Sequence, residues 1–245
     1  MDKALTGVDL IPGAAILLTL AALCFLATAI LAGAGKQGRP AVVTLVAGWL
    51  LLSLHAGLTI FRLRRLPLVG GYEALTVLSW TMATLLLVRG RLGRDRAVLL
   101  LSGLVLGLMN AGAVFFRLQL NHDYFMYASL LSQGFFFFKL LSAGLLLTVS
   151  LALLATLAAG RPLFDKRLFM AGAIVFLCSE LSGSIWCLRG WGDSWHWSDN
   201  FFESMLVFFV FMVNFHLPPS LFSRNSRRMP LHLASALIIT GLFLW

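Results

Sequence analysis

Apolar runs of membrane-spanning length follow one another from residue 10 onward in this chain, separated only by short polar connections. A helix needs roughly 20 apolar residues to cross a bilayer, and inside lipid every backbone polar group must be satisfied within its own segment or a closed barrel. Eight stretches are read as spans: residues 10–34, 41–61, 71–88, 97–117, 131–159, 168–188, 201–217 and 231–245. The last two are short, and the fifth is long enough to tilt or to extend past the membrane. Alternating strand patterning is absent, which argues against a barrel. The expectation is an all-α integral membrane protein: a single polytopic domain over 1–245, a bundle of about eight transmembrane helices in a lipid bilayer.

Composition agrees. The chain is 60% hydrophobic and 12% charged, with a mean hydropathy of +0.90, outside the range of soluble domains. Near the start, Asp2, Lys3 and Asp9 leave no positive n-region, and the apolar run exceeds a signal core of roughly 7–15 residues. The first segment is therefore expected to be a retained helix.

The net charge of +9 reports topology rather than an affinity for nucleic acid. With eight spans, alternate connections share a side. One side collects Lys36, Arg39, Arg89, Arg91, Arg94, Arg96, Arg161, Lys166, Arg167, Arg224, Arg227 and Arg228, most of the 19 basic residues. The other carries Lys3, Arg62, Arg64, Arg65, Arg117 and Arg189. Positive connections stay cytoplasmic. Both termini and the 186–203 loop are then expected on the outer, periplasmic face of the cell's inner (cytoplasmic) membrane, with no nucleic-acid partner.

Cys24, Cys178 and Cys187 show no C-x-x-C spacing. The first two read as packing residues within spans, and nothing supports a redox pair. Gly103 and Gly107, followed by Asn110 and Gly112, read as a close helix-packing face, and Phe135–Phe138 as a lipid-facing or core run. No P-loop, dinucleotide fingerprint, zincin motif or Ser-His-Asp set is present.

Two motifs stand out. Four of the seven tryptophans, Trp186, Trp191, Trp195 and Trp197, fall within twelve residues at the end of the sixth span. One or two would form an ordinary interfacial belt; four around a short loop form an aromatic platform suited to a flat ligand. The second motif is Tyr72-Glu73-Ala74-Leu75-Thr76-Val77-Leu78-Ser79-Trp80, which places a carboxylate at a helix N-terminus, where the dipole favours it. Taken alone, Tyr72 and Glu73 read equally well as an interfacial aromatic and a cap.

Together, Tyr-Glu-x-Leu-x-x-Leu-Ser-Trp, Leu-Ser-Gly-x-x-Trp and Trp-Gly-x-x-Trp-x-Trp resemble the haem-handling family of cytochrome c maturation (the CcsA/ResC type, related to CcmC and CcmF), over roughly residues 50–245. His216, at the inner end of the seventh span, also falls where CcsA-type proteins carry a histidine. The resemblance implies a protein that binds haem b transiently and presents it for attachment to apocytochrome c beside a CcsB-type subunit. It would be at most one component of a haem–cytochrome c synthase (lyase). Haem is a flat aromatic with two anionic propionates. The resemblance therefore casts Trp186, Trp191, Gly192, Trp195, His196 and Trp197 as its platform, and Arg189, with Arg62, Arg64 or Arg65 on the same side, as propionate partners. Tyr72 and Glu73 join the cofactor-binding set on the same ground.

Departures from the family pattern are specific. Ser194, Ser198, Asp199 and Phe201 stand where the family carries Tyr, Asp, Pro and Glu, so Asp199 and Glu203 neighbour the expected acidic positions. Tyr127 takes the position of an outer histidine, with His122 five residues upstream. His122, His196 and Tyr127 stay open as iron-ligand candidates, since histidine and tyrosine both ligate haem iron. His55, in the outer half of the second span, and His216 lie too far apart in depth to share one iron.

Charge within a span is costly unless paired or facing a cavity. Lys139 and Glu180, each about 12 Å deep on neighbouring spans, are expected to form an ion pair or share a polar cavity. The rival to haem presentation is a haem-free paralogue, a structural or regulatory subunit of a larger membrane complex. A transporter is a third reading, resting only on Lys139, Glu180 and Asn110.

Overall fold

The computed structural model describes residues 12–36, 38–68, 71–90, 92–115, 129–160, 165–194, 199–216, 234, 235 and 238. Seven α-helices account for nearly all of them: α1 (Pro12–Gly33), α2 (Arg39–Leu63), α3 (Gly71–Val88), α4 (Arg96–Phe115), α5 (Leu130–Ala158), α6 (Lys166–Trp191) and α7 (Asp199–His216), with a 3-10 turn at Leu92–Arg94. The first six are long and apolar enough to cross a membrane, as in a multi-pass membrane protein. Helix α7 is apolar over the shorter stretch Phe202–Val213. The eighth expected span, 231–245, lies almost wholly outside the described residues.

Local chemistry explains where the helices begin and end. Ser129 caps α5 by accepting from the Leu131 N–H, and Asp165 caps α6 by accepting from the Arg167 and Leu168 N–H groups, each satisfying donors that the first turn leaves free. Asp95 does the same for α4 through Ala97 and Val98. Pro40 sits in the first turn of α2, where its missing N–H costs nothing. Helix α6 stops at Gly192, in the left-handed conformation glycine adopts freely. Arg64 ends α2 in that same conformation, at φ 55°.

The helices cluster into two compact units, Met1–Phe125 and Met126–Trp245. In the first, α1 packs on α2, α2 on α3, α3 on α4 and α4 back on α1, closing a ring. Small residues set the spacing, as the Gly103–Gly107 pattern predicts. A Cβ on Gly103 would lie 2.9 Å from both the Ala29 N and the Phe25 O, and one on Gly107 would lie 2.6 Å from the Leu26 side chain. The fully buried Phe25 also fills the space beside Gly48 of α2. Between α2 and α3 two indoles are exchanged. Trp49 Nε1 donates to Thr84 Oγ1 at 2.9 Å and Trp80 Nε1 to Ser53 Oγ at 3.0 Å. Each hydroxyl then donates to the backbone carbonyl of the tryptophan on its own helix, Thr84 to Trp80 and Ser53 to Trp49. Both indole N–H groups are thereby satisfied away from water.

In the second unit α5 and α6 run antiparallel, with Ser142 Oγ donating to the Gly172 carbonyl and Ser179 Oγ to the Phe135 carbonyl. Leu146 of α5, Phe169, Ala173 and Phe176 of α6, and Val207 and Phe211 of α7 form one apolar core. Gly183 makes room for the Phe135 ring, so the phenylalanine run packs inward at this position. Helix α5, with 29 residues, is about 44 Å long and exceeds a hydrocarbon core of about 30 Å. Ala143 to Leu153 are buried without a break, as in a core helix.

Candidate functional site

Among the described residues, two polar clusters lie on the helices, one in each unit. In the first unit, the α2–α3 connection brings Arg65 against Glu73. Arg65 NH1 lies 2.8 Å from Glu73 Oε2 and NH2 lies 3.0 Å from Oε1. The side chains are 5% and 0% exposed, so this is a fully desolvated, bidentate pair. Arg65 also donates to the Leu66 carbonyl. The adjacent Tyr72 turns toward α2, its Oη 2.6 Å from His55 Nε2, the two rings edge to face. His55 is 2% exposed, and its Nδ1 is a buried atom without a hydrogen-bond partner, as are Ser79 Oγ, Ser102 Oγ and Asn110 Oδ1.

The sequence motif Tyr72-Glu73 is therefore real as a local structure, and its polar atoms face protein. Of the three arginines considered for propionates on this side, Arg65 is engaged by Glu73, and Arg64 has its guanidinium 5.0 Å from the Phe61 ring centroid. The Arg65–Glu73 pair had a legible signal: opposite charges eight residues apart, flanking a short connection between antiparallel spans. The His55–Tyr72 contact had none, because the two residues sit at unequal distances from that connection.

In the second unit, the start of α5 and the end of α6 carry the aromatic residues. Trp186 packs edge to face on Trp191, with centroids 5.4 Å apart, and lies against Phe135 and Phe136. Trp191 is 45% exposed. Arg189 lies in the last turn of α6, and Gly192 redirects the chain just beyond it. Trp195, His196 and Trp197 lie outside the described residues, as do His122 and Tyr127. His216 ends α7, where its Nδ1 lies 2.9 Å from the Met212 carbonyl oxygen.

Deeper along the same helices, Lys139 and Glu180 belong to one polar neighbourhood, which Glu203 and Ser204 of α7 complete. Lys139 Nζ is 3.4 Å from Glu203 Oε2, and Glu180 Oε1 accepts from Ser204 Oγ at 2.8 Å. Lys139 and Glu180 remain within electrostatic reach of each other. The arrangement is thus a shared polar cluster, in which Glu203 supplies the carboxylate at the ammonium. Its signal was the helical period: Glu203 precedes the buried Val207 and Phe211 by four and eight residues, on the same face of α7. Among the described residues, no group of three or more His, Cys, Asp and Glu side chains is placed to hold a metal ion.

No family model matches this chain, and no curated protein or solved structure is significantly similar to it.

Proposed function

We propose that this chain is a cytochrome c assembly protein of the inner membrane, which binds haem transiently at the loop 186–203 and presents it on the outer face for attachment to apocytochrome c. The observation that supports this reading is the Trp186–Trp191 pair at the end of α6, half-exposed, followed at once by a left-handed glycine that leads toward Trp195 and Trp197. An aromatic surface with the Arg189 guanidinium in the adjoining turn suits a flat macrocycle with anionic propionates. Haem is cargo in this reading. Attachment adds a cysteine thiol of apocytochrome c across a haem vinyl group. The chain's part is to hold and orient, beside a CcsB-type subunit, with the iron ligand drawn from His122, His196 and Tyr127.

A second reading is favoured by one observation. Tyr72 and Glu73, part of the motif that suggested haem handling, are consumed by His55 and Arg65, as a haem-free structural or regulatory subunit would have them. The visible spectrum separates the two. The full chain, purified in detergent with haem supplied, is expected to show a Soret band that weakens several-fold in the Trp195→Ala/Trp197→Ala double variant. Absence of the band, or a band indifferent to those substitutions, would overturn haem presentation at this loop and leave the subunit reading.

A further inference from the structure

The cluster in the second unit has an unbalanced charge. It contains one ammonium, Lys139 on α5, and two carboxyl groups, Glu180 on α6 and Glu203 on α7. The Lys139 side chain is 6% exposed and that of Glu203 23%; Glu180 is half-buried. Lys139 lies nine residues from the start of α5 and Glu180 eleven from the end of α6, about 14 and 16 Å along their axes. Glu203 is only four residues into α7, about 6 Å. Because α5 and α6 are antiparallel, as are α6 and α7, these three ends share one face of the unit. The Lys139–Glu203 contact and the Glu180–Ser204 bond hold the three groups at one level, so α7 begins closer to them than do the ends of α5 and α6.

Taking net charge out of water is expensive. Glu203 and the Phe135 ring, whose centroid is 5.2 Å from Nζ, both favour the cationic form of Lys139. That leaves one negative charge in excess if both carboxyl groups ionise. The least costly neutral arrangement carries a single carboxyl proton among the two groups. Ser204 completes it. Its hydroxyl is bonded to Glu180 Oε1, and it follows Glu203 on the same turn of α7.

We propose that Lys139, Glu180, Glu203 and Ser204 form an intramembrane proton-binding site, in which one ammonium and two carboxyl groups hold a single exchangeable proton. On release, the O–H bond of the protonated carboxyl breaks and the proton passes to water at the face where α7 begins. Uptake is the reverse. Among the described residues, the charged groups that the three helices contribute here are Lys139, Glu180 and Glu203; Cys178, two residues before Glu180, is exposed, and the site does not depend on haem.

Infrared spectroscopy of the full chain in nanodiscs reads the site directly, through the carbonyl stretch of a protonated carboxylic acid. At neutral pH the wild type is expected to contribute one such group, and its band shifts in D2O. Glu180→Gln and Glu203→Gln each leave one carboxylate facing one ammonium, so each abolishes the band. Lys139→Gln removes the cation and doubles it. Glu180→Asp, which keeps the carboxyl and is the mildest change to packing, moves the band without removing it. A wild type without the band, a band that fails to shift in D2O, or one that survives both Glu→Gln substitutions would overturn the proposal.

Discussion

Arg65 and Glu73 were each visible in the sequence, one as a basic residue beside a span and the other as a carboxylate at a helix start, but neither position reveals what the pair does. Their geometry is bidentate and dry, and the energetics follow from that. Two charges leave water together, and their attraction offsets the desolvation only while both are present. Glu73→Leu or Arg65→Met is therefore expected to destabilise the chain by about 3–5 kcal/mol, because each strands a buried charge. The double variant Arg65→Met/Glu73→Leu should recover most of that loss. Thermal unfolding in detergent of the two single variants and the double variant checks it: simple additivity of the single losses would show that the pair is not a unit. The same reasoning explains why charge counting could not show that Arg65 is engaged by Glu73, since a basic residue at a span end reads as solvated until its partner is known.

Helix positions were the part of the fold that the sequence carried best. The seven described helices coincide with the first seven expected spans to within about three residues at each end, because hydrophobic length and capping chemistry are local properties. Which helices touch is a different kind of information. Gly103 and Gly107 announced a close approach, but not that the partner is α1, a helix that contributed nothing to the sequence motifs. Likewise Trp80 was legible as a motif residue, while its exchange with Trp49 across α2 and α3 requires the register of two helices. Lys139 and Glu180 were matched by depth alone; Glu203, on a third helix, was reached only by folding. The glycine contact makes a sharp contrast. Gly103→Ala would push a methyl group against the Phe25 and Ala29 backbone, which cannot yield as a flexible side chain would, and is expected to cost about 1–3 kcal/mol. Gly112→Ala, on the same helix with open space around it, is expected to be neutral or to stabilise by up to about 1 kcal/mol. Equal effects in unfolding experiments would mean that α1 and α4 are not in contact at Gly103.

For the whole molecule, the decisive question is which connections share a side of the membrane, and parity answers it before any charge rule is applied. Between Lys36 and Arg189 lie α2, α3, α4, α5 and the body of α6, all long and apolar enough to cross. The longest stretch between them outside the described residues, 116–128, is too short for another span, which needs roughly 20 residues. Five crossings would put Lys36 and Arg189 on opposite faces, as the sequence reading expects. The charge distribution then decides which face is which. Lys36, Arg39, Arg89, Arg91, Arg94, Arg96, Arg161, Lys166 and Arg167 fall on one side by this count, against Arg62, Arg64, Arg65, Arg117 and Arg189 on the other. Positive connections stay cytoplasmic, so the end of α6 that carries Trp186 and Trp191 is expected to face outward. Single cysteines in place of Lys36, Lys166, Arg62 and Arg189, in a background lacking Cys24, Cys178 and Cys187, test this with a membrane-impermeant thiol reagent on intact cells. Positions 62 and 189 should label, and 36 and 166 only after the membrane is opened. Labelling of 36 together with 189 would break the parity and show that one of α2–α6 does not cross. Labelling of 36 and 166 alone would keep the parity but invert the orientation, placing the tryptophans on the cytoplasmic side, where presentation of haem to an exported cytochrome could not occur.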